Sequence, residues 1–223
     1  SRLMPDAGMS RRRFWSLVLL QQQTSPNLRV RAARRQDIGS LSSLLADSFH
    51  PRDGLMGLVQ PVVQFGIRED LRYRLQKPAS HYACLVAVHH PESPALLSTG
   101  DSCDRHMAPK IVGTLELSVR RRFWWTSDRY LYISNLAVDR HHRRRGVARQ
   151  LLQASEGVSR DWGLSSLNLH VMADNMPARQ LYRRAGYTVQ NNRTSFDGLF
   201  QRTEIQRTLF QRPQLILLRK DVS

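Results

Sequence analysis

The sequence predicts an α/β (α+β) chain: a mixed, mostly antiparallel sheet flanked by helices. Three observations carry this expectation. From Tyr130 to Val138 the chain is apolar and rich in β-branched and aromatic residues; after a basic turn ending in Gly146, the apolar residues Val147, Leu151, Ala154 and Val158 recur at helical spacing. That is a strand, a tight loop and a helix. Elsewhere Leu28–Ala33 alternates apolar and charged residues like a strand with one buried face, and Ile111–Val119 reads as an antiparallel partner of His81–Val88. Finally, 223 residues with 41% hydrophobic content suit one domain with extensions, large enough to bury a sizeable core.

In chain order, residues 1–27 are expected to form a flexible basic extension and 28–223 the domain. The extension contains RRRFWSLVLL, whose apolar run is too short to span a bilayer and is followed by no small-x-small cleavage site, so no membrane partner is expected. Arginine and serine with few acids fit a remnant of an organelle-targeting segment, and equally a bacterial N-terminus beginning at Met9. After the first strand, Asp37 is placed to cap a helix carrying Ile38, Leu41, Leu44 and Leu45. Pro51 and Gly54 break that helix, and a second is predicted over 62–76 with Phe65, Ile67, Leu71 and Leu75. An insertion at about 89–109 separates the next two strands and is too long for a tight hairpin. The loop after Val119 carries Phe123, Trp124 and Trp125, expected to cover the sheet edge. Gly163 stands where a helix end calls for a positive φ. Beyond it come a strand over Ser166–Val171, a short helix over Pro177–Ala185, a strand from Tyr187, a second insertion at about 191–212 and a return strand over Leu215–Arg219.

Lysine and arginine outnumber aspartate and glutamate by 34 to 18, a formal charge of +16, so an anionic ligand or partner is expected. Proximity to a ribosome or other nucleic acid fits the same excess. The two cysteines, Cys84 in a strand and Cys103 in a polar loop, call for no disulfide framework, and a reducing compartment follows. His89, His90 and His106 do not stand at a metal-ligand spacing, so no metal is expected.

The basic turn is the most informative stretch. Arg143-Arg144-Arg145-Gly146-Val147-Ala148 places small residues and unpaired backbone N–H groups at a helix start, which attracts phosphate. Gly146 lets a ligand approach the backbone, and the arginines bring charge that reaches a pyrophosphate or ribose phosphate. Neither a P-loop nor the GxGxxG dinucleotide fingerprint is present.

This RxxGxA turn follows a strand ending Leu136-Ala137-Val138 and precedes LHVMADNMPARQLYRRAGY. In that order the segments resemble the acetyl-CoA-binding core of the GNAT N-acetyltransferases, closely over Tyr130–Tyr187 and more loosely from Leu28 to about Lys220. Within the family the segment is most similar to plastid and cyanobacterial members that acetylate protein N-termini and lysines. The resemblance implies acetyl-CoA as cosubstrate, held in a cleft between the strands ending at Val138 and Val171. It also implies a cytoplasmic or plastid-stromal setting. Backbone groups of Leu136, Ala137 and Val138 would pair with the pantetheine arm, and Arg143, Arg144, Arg145, Gly146, Val147, Ala148 and Arg149 would hold the phosphates. Asn175, with Met176 and Pro177, would also contact the cofactor, although taken alone Asn175 serves equally to cap the helix at Pro177. In relatives the join between the first two helices walls the acceptor groove, which makes Phe49, His50, Leu55 and Met56 candidates for substrate contact.

Acetyl transfer from a thioester to an amine needs a neutral amine, stabilisation of the carbonyl oxygen and a proton for the leaving thiolate. A protein α-amino group, with pKa near 8, is partly neutral at pH 7 to 8, whereas lysine, near 10.4, must first surrender about 3 kcal/mol of proton affinity. N-termini are therefore the easier acceptors, with lysines second. By resemblance Tyr182 is the proton donor to the sulfur, and its phenol stays protonated at pH 7. His170 and Tyr132 match the residues that take the amine proton through water in some N-terminal acetyltransferases. Glu116 is a third candidate base, with an exposed place on the sheet as its alternative. Two other functions remain open on sequence alone: acetylation of a small amine, and a basic RNA- or ribosome-associated module that keeps the fold for binding.

Overall fold

The computed structural model describes residues 27–49, 56–76, 82–90, 109–122, 128–190 and 215–222. The extension, Cys103, His106, the loop aromatics Phe123, Trp124 and Trp125, and most of both insertions lie outside the described residues, as do His50 and Leu55 and the side chains of Phe49 and Met56.

Seven strands and four α-helices are present among the described residues. In order they are β1 (Leu28–Ala32), α1 (Ile38–Phe49), α2 (Met56–Gln76), β2 (Tyr82–His89), β3 (Lys110–Arg121), β4 (Arg129–Val138), α3 (Val147–Asp161), β5 (Ser166–Met172), α4 (Met176–Arg184), β6 (Thr188–Val189) and β7 (Leu215–Asp221). Short 3-10 turns at Arg35–Asp37 and Arg140–His142 precede α1 and α3. The strand order is β1-β2-β3-β4-β5-β7-β6. β4 and β5 run parallel, while β1/β2, β2/β3, β5/β7 and β6/β7 are antiparallel, so the sheet is mixed and mostly antiparallel as the sequence predicts.

The chain divides into two compact units, one drawn from Ser1–Ser118 and Asn135–Val158, the other from Val119–Ser134 and Ser159–Ser223. In the first, β2 is buried from Cys84 to Val88, which requires apolar cover on both faces. Strand alternation sends Cys84, Val86 and Val88 into a cluster with Ile38, Leu41, Leu44, Leu45, Leu71 and Ala137. Leu85 and Ala87, fully buried, belong to the opposite face. Close packing of α3 on β3 depends on Gly113: a Cβ there would come 2.8 Å from Val147 Cγ1 and 3.1 Å from Leu151 Cδ1. The periodic stripe of α3 is buried as predicted, with Val147, Leu151, Ala154 and Val158 all at 3% exposure or less. In the second unit β5 lies between β4 and β7, and Leu131, Leu167, Leu169, Val171 and Leu218 are buried there.

Several boundaries differ from expectation. α2 begins at Met56 rather than at residue 62, so Pro61 falls inside the helix. A proline lacks the donor for one helical bond, but the helix on either side sustains it. Asp37 does not cap α1 from in front. Its carboxylate takes the Arg34 N–H at 2.6 Å and both terminal nitrogens of Arg31, at 2.6 and 3.0 Å, so it ties the 3-10 turn back to β1. The strand expected from Tyr187 is only Thr188–Val189, paired with Leu218 and Arg219. Gly163 has φ +65 at the end of α3, as predicted. Among the described residues no helix is long and apolar enough to cross a membrane.

Candidate active site

The basic turn is launched from a fixed point. At the end of β4 the Asp139 N–H donates to Val112 O at 2.9 Å, and the Asp139 carboxylate takes the Lys110 ammonium at 2.7 Å and the His141 N–H at 3.0 Å. Burial would raise this carboxyl's pKa, but those donors hold it below the usual aspartate range. Arg144 and Gly146 then adopt φ of +63 and +79. Arg143 before them is extended, so the two positive φ values fold the chain from an extended residue directly into the helix start. The first bond of α3 runs from Gln150 N–H to Gly146 O at 3.0 Å, so the amides from Gly146 to Arg149 have no acceptor within the helix. Arg144, Arg145, Gly146 and Arg149 are exposed, Val147 is buried beneath them and Ala148 is half-buried. Arg143 instead turns back, its Nε donating to Val138 O at 3.3 Å.

The parallel ladder of β4 and β5 registers Leu131 with Leu167 and Tyr132 with Asn168 and then ends, while β4 itself continues through Leu136, Ala137 and Val138. Ala137 is packed in the core of the first unit; its backbone neighbours Leu136 and Val138 are half-buried.

For Glu116 the structure removes the exposed alternative. The residue is 1% exposed, not surface-facing, because the β2/β3 register sets Glu116 opposite Cys84 and Thr114 opposite Val86, on the face that α1 and α2 cover. Arg74, in the last turn of α2, reaches its Oε2 at 3.1 Å, and Asn135 Nδ2 donates to Oε1 at 2.9 Å. Asn135 has φ +51, which turns its amide inward from β4. The Tyr82 hydroxyl is buried in this region, and burial together with the Glu116 charge pushes its ionisation far up. Each Glu116 oxygen thus already accepts one hydrogen bond inside the core.

The second unit brings the other candidates together. Tyr132 stands opposite Asn168, two residues before His170 on β5, and Tyr132 Oη lies 3.0 Å from His170 Nδ1. Burial lowers the imidazole's pKa below the ordinary histidine value, and the Arg120 charge lowers it further. The Tyr132 phenol is raised by burial against the opposing pull of Arg120, whose guanidinium carbon sits 3.7 Å over the ring. Tyr182 is 8% exposed on α4 and meets Tyr187 edge to face at 5.8 Å; burial pushes its phenol up to about 12, with Tyr132 adding to the shift. Asn175 caps α4, its Oδ1 accepting the Ala178 N–H at 3.1 Å, while Met176 and Pro177 form the exposed first turn.

Three contributors are absent from the sequence expectation. Asn135 leaves a trace, since an asparagine inside a strand suits a residue with positive φ. Arg74 and Arg120 leave none, because each is one of many arginines and only tertiary contact distinguishes them. Among the described residues no group of three or more His, Cys, Asp or Glu is placed to hold a metal ion.

Comparison with known proteins bears on the family and the fold. A profile of the acetyltransferase (GNAT) family matches residues 67–187. The chain is 31% identical over 170 residues to GCN5-related N-acetyltransferase 10, chloroplastic, from Arabidopsis thaliana, covering 72% of this chain and 62% of that protein. It is 29% identical over 178 residues to GCN5-related N-acetyltransferase 5, chloroplastic, from the same plant, covering 76% of this chain and 54% of the relative. The chain therefore spans less than two thirds of the length of these curated relatives. Among solved structures, PaiA N-acetyltransferase from Thermoplasma acidophilum in complex with coenzyme A superposes with a TM-score of 0.57 at 13% identity, covering 87% of this chain and 98% of that one. At that identity the likeness concerns the fold.

Proposed function

Because the chain belongs to the GNAT acetyltransferase family, we propose that it transfers acetyl from acetyl-CoA directly to protein α-amino groups, with lysine ε-amino groups as slower acceptors. Acetyl-CoA supplies the activated acyl group as a thioester. The open amides from Gly146 to Arg149, with Arg144 and Arg145, bind its phosphates; backbone groups of Leu136–Val138 bind the pantetheine arm, and Asn175 supports it while capping α4. His170 takes the amine proton through water and Tyr132 orients the imidazole. Tyr182 gives its proton to the departing sulfur. Glu116 organises the sheet rather than acting as base, since Arg74 and Asn135 occupy it.

The observation that carries this reading is the 3.0 Å Tyr132–His170 contact, with the imidazole kept neutral near pH 7 by burial and by Arg120. A neutral imidazole accepts a proton from an amine that is itself partly neutral, the situation of an N-terminus. The chloroplastic names of the Arabidopsis relatives support a plastid-stromal setting. To test the reading, the protein is produced in a bacterial host and acetylated N-termini and lysines are mapped by mass spectrometry, with Gly146→Trp as control. New acetylation, mostly at N-termini and lost in the control, is expected. Identical maps for both proteins would refute it.

A further inference from the structure

Arg120 acts in the reading above only through its charge on His170, and its own hydrogen-bonding edge is unused there. It lies near the end of β3, exposed, in the run Arg120-Arg121-Arg122. Arg122 is paired with Asp128 at 2.9 Å, but no carboxylate among the described residues pairs with Arg120. Its guanidinium carbon instead stands 3.7 Å over the Tyr132 ring, whose hydroxyl contacts His170. Stacking engages the face of a guanidinium and leaves its N–H edge, a fork matched to a carboxylate, available in the plane. A cation with an open fork thus stands one tyrosine away from the imidazole that receives the acceptor's proton.

We infer that Arg120 makes the acceptor site selective for amines carrying a carboxylate close by: peptides with aspartate or glutamate as the first or second residue. This rests on the Tyr132–His170 pair being the place where the amine is deprotonated, as proposed above. An acidic side chain within two residues of the reacting amine can reach the guanidinium fork and form a bidentate, charge-assisted pair. A lysine or arginine in the same position meets like charge and is disfavoured. The excess of basic over acidic residues, 34 to 18, draws the same acidic acceptors from solution.

The test compares kcat/KM for peptides identical except for Asp, Ala or Lys at the second position, using wild type, Arg120→Gln, Arg120→Lys and Arg121→Gln. Wild type should prefer the acidic peptide over the alanine peptide by about tenfold, mostly through KM, and the lysine peptide should be poorest. Arg120→Gln should bring the acidic-to-neutral ratio to within about twofold of unity, Arg120→Lys should retain part of it, and Arg121→Gln should leave it intact. The ratio cancels any change in His170, which acts on every peptide alike. A wild-type ratio near one, or a ratio untouched by Arg120→Gln, overturns the inference and leaves N-terminal transfer standing. Transfer to no peptide at all removes the acceptor reading, and the inference with it.

Discussion

As the proposed proton donor and base, Tyr182 and His170 would need opposite things from burial, and burial shifts each in the direction its proposed role requires. For a phenol, burial penalises the anion, so a group pushed up to about 12 remains a proton donor across the working range. For an imidazole, burial penalises the cation, so His170 titrates below its ordinary value and is neutral at pH 7. Tyr182→Phe keeps the ring that packs on Tyr187 and removes only the proton; we expect kcat to fall by about 100-fold while acetyl-CoA affinity, read by calorimetry, stays within about twofold. Unchanged turnover would take the donor role from Tyr182. The His170 sign is checked by NMR: as pH falls, the imidazole should gain its proton only below the reference value of 6.5, with the signal assigned by its loss in His170→Gln. A midpoint above that value would mean that a nearby anion outweighs burial and Arg120. Both residues were singled out in the sequence by resemblance, Tyr182 in the run ending Gly186-Tyr187 and His170 in Leu169-His170-Val171 as one of three candidate bases. Arg120 was not, since its role comes from lying across the sheet from a ring twelve positions later in the chain, and no local pattern encodes that.

The elements were legible where one periodicity dominates and illegible where tertiary register decides. The stripe of α3 and the alternation of β1 name their buried faces directly. The start of α2 was not legible: the spacing of Phe65, Ile67, Leu71 and Leu75 marks the later turns of the helix, whereas the chain is helical from Met56. Glu116 is the clearest case: its burial follows from standing opposite Cys84, and register is invisible in either strand alone. The two glycines of this region impose different demands. Gly146 needs its positive φ, and a Cβ there would meet nothing within 4 Å. Gly113 has an ordinary backbone but no room, since its Cβ would press on Val147 and on Leu151. Val147 opens the helix whose first amides are proposed to bind phosphate, so crowding at Gly113 would displace the turn as well as the core. Gly113→Ala should destabilise the protein by about 1 to 3 kcal/mol, seen as a lower denaturation midpoint, and should weaken acetyl-CoA binding in the protein that remains folded. Full stability in this variant would mean that α3 shifts without cost.

At the scale of the molecule, the hydrophobic content foretold a core but not its division into two units. Each unit is assembled from separated pieces of chain, and a count of apolar residues carries no such information. The charge, by contrast, was plain from the outset, and the question it leaves is whether +16 acts as a diffuse field or through specific contacts. Salt separates the two. At about 0.15 M the Debye length is near 8 Å, so a distant arginine is already largely screened, and what still varies with added salt is an exposed arginine close to a phosphate, whose attraction the salt ions compete with. Acetyl-CoA presents about four negative charges at pH 7, by analogy with other phosphate groups, while S-acetyl-pantetheine presents the same thioester with none. If the turn at Arg144–Arg149 provides the specific contacts, raising sodium chloride from about 50 to 500 mM should increase KM for acetyl-CoA several-fold and leave KM for S-acetyl-pantetheine nearly constant. Arg144→Gln and Arg145→Gln should each raise KM for acetyl-CoA at every salt concentration and make its salt dependence shallower. Equal salt dependence for the two thioesters would show that salt acts on the acceptor or on the fold, and that the basic turn does not read phosphate.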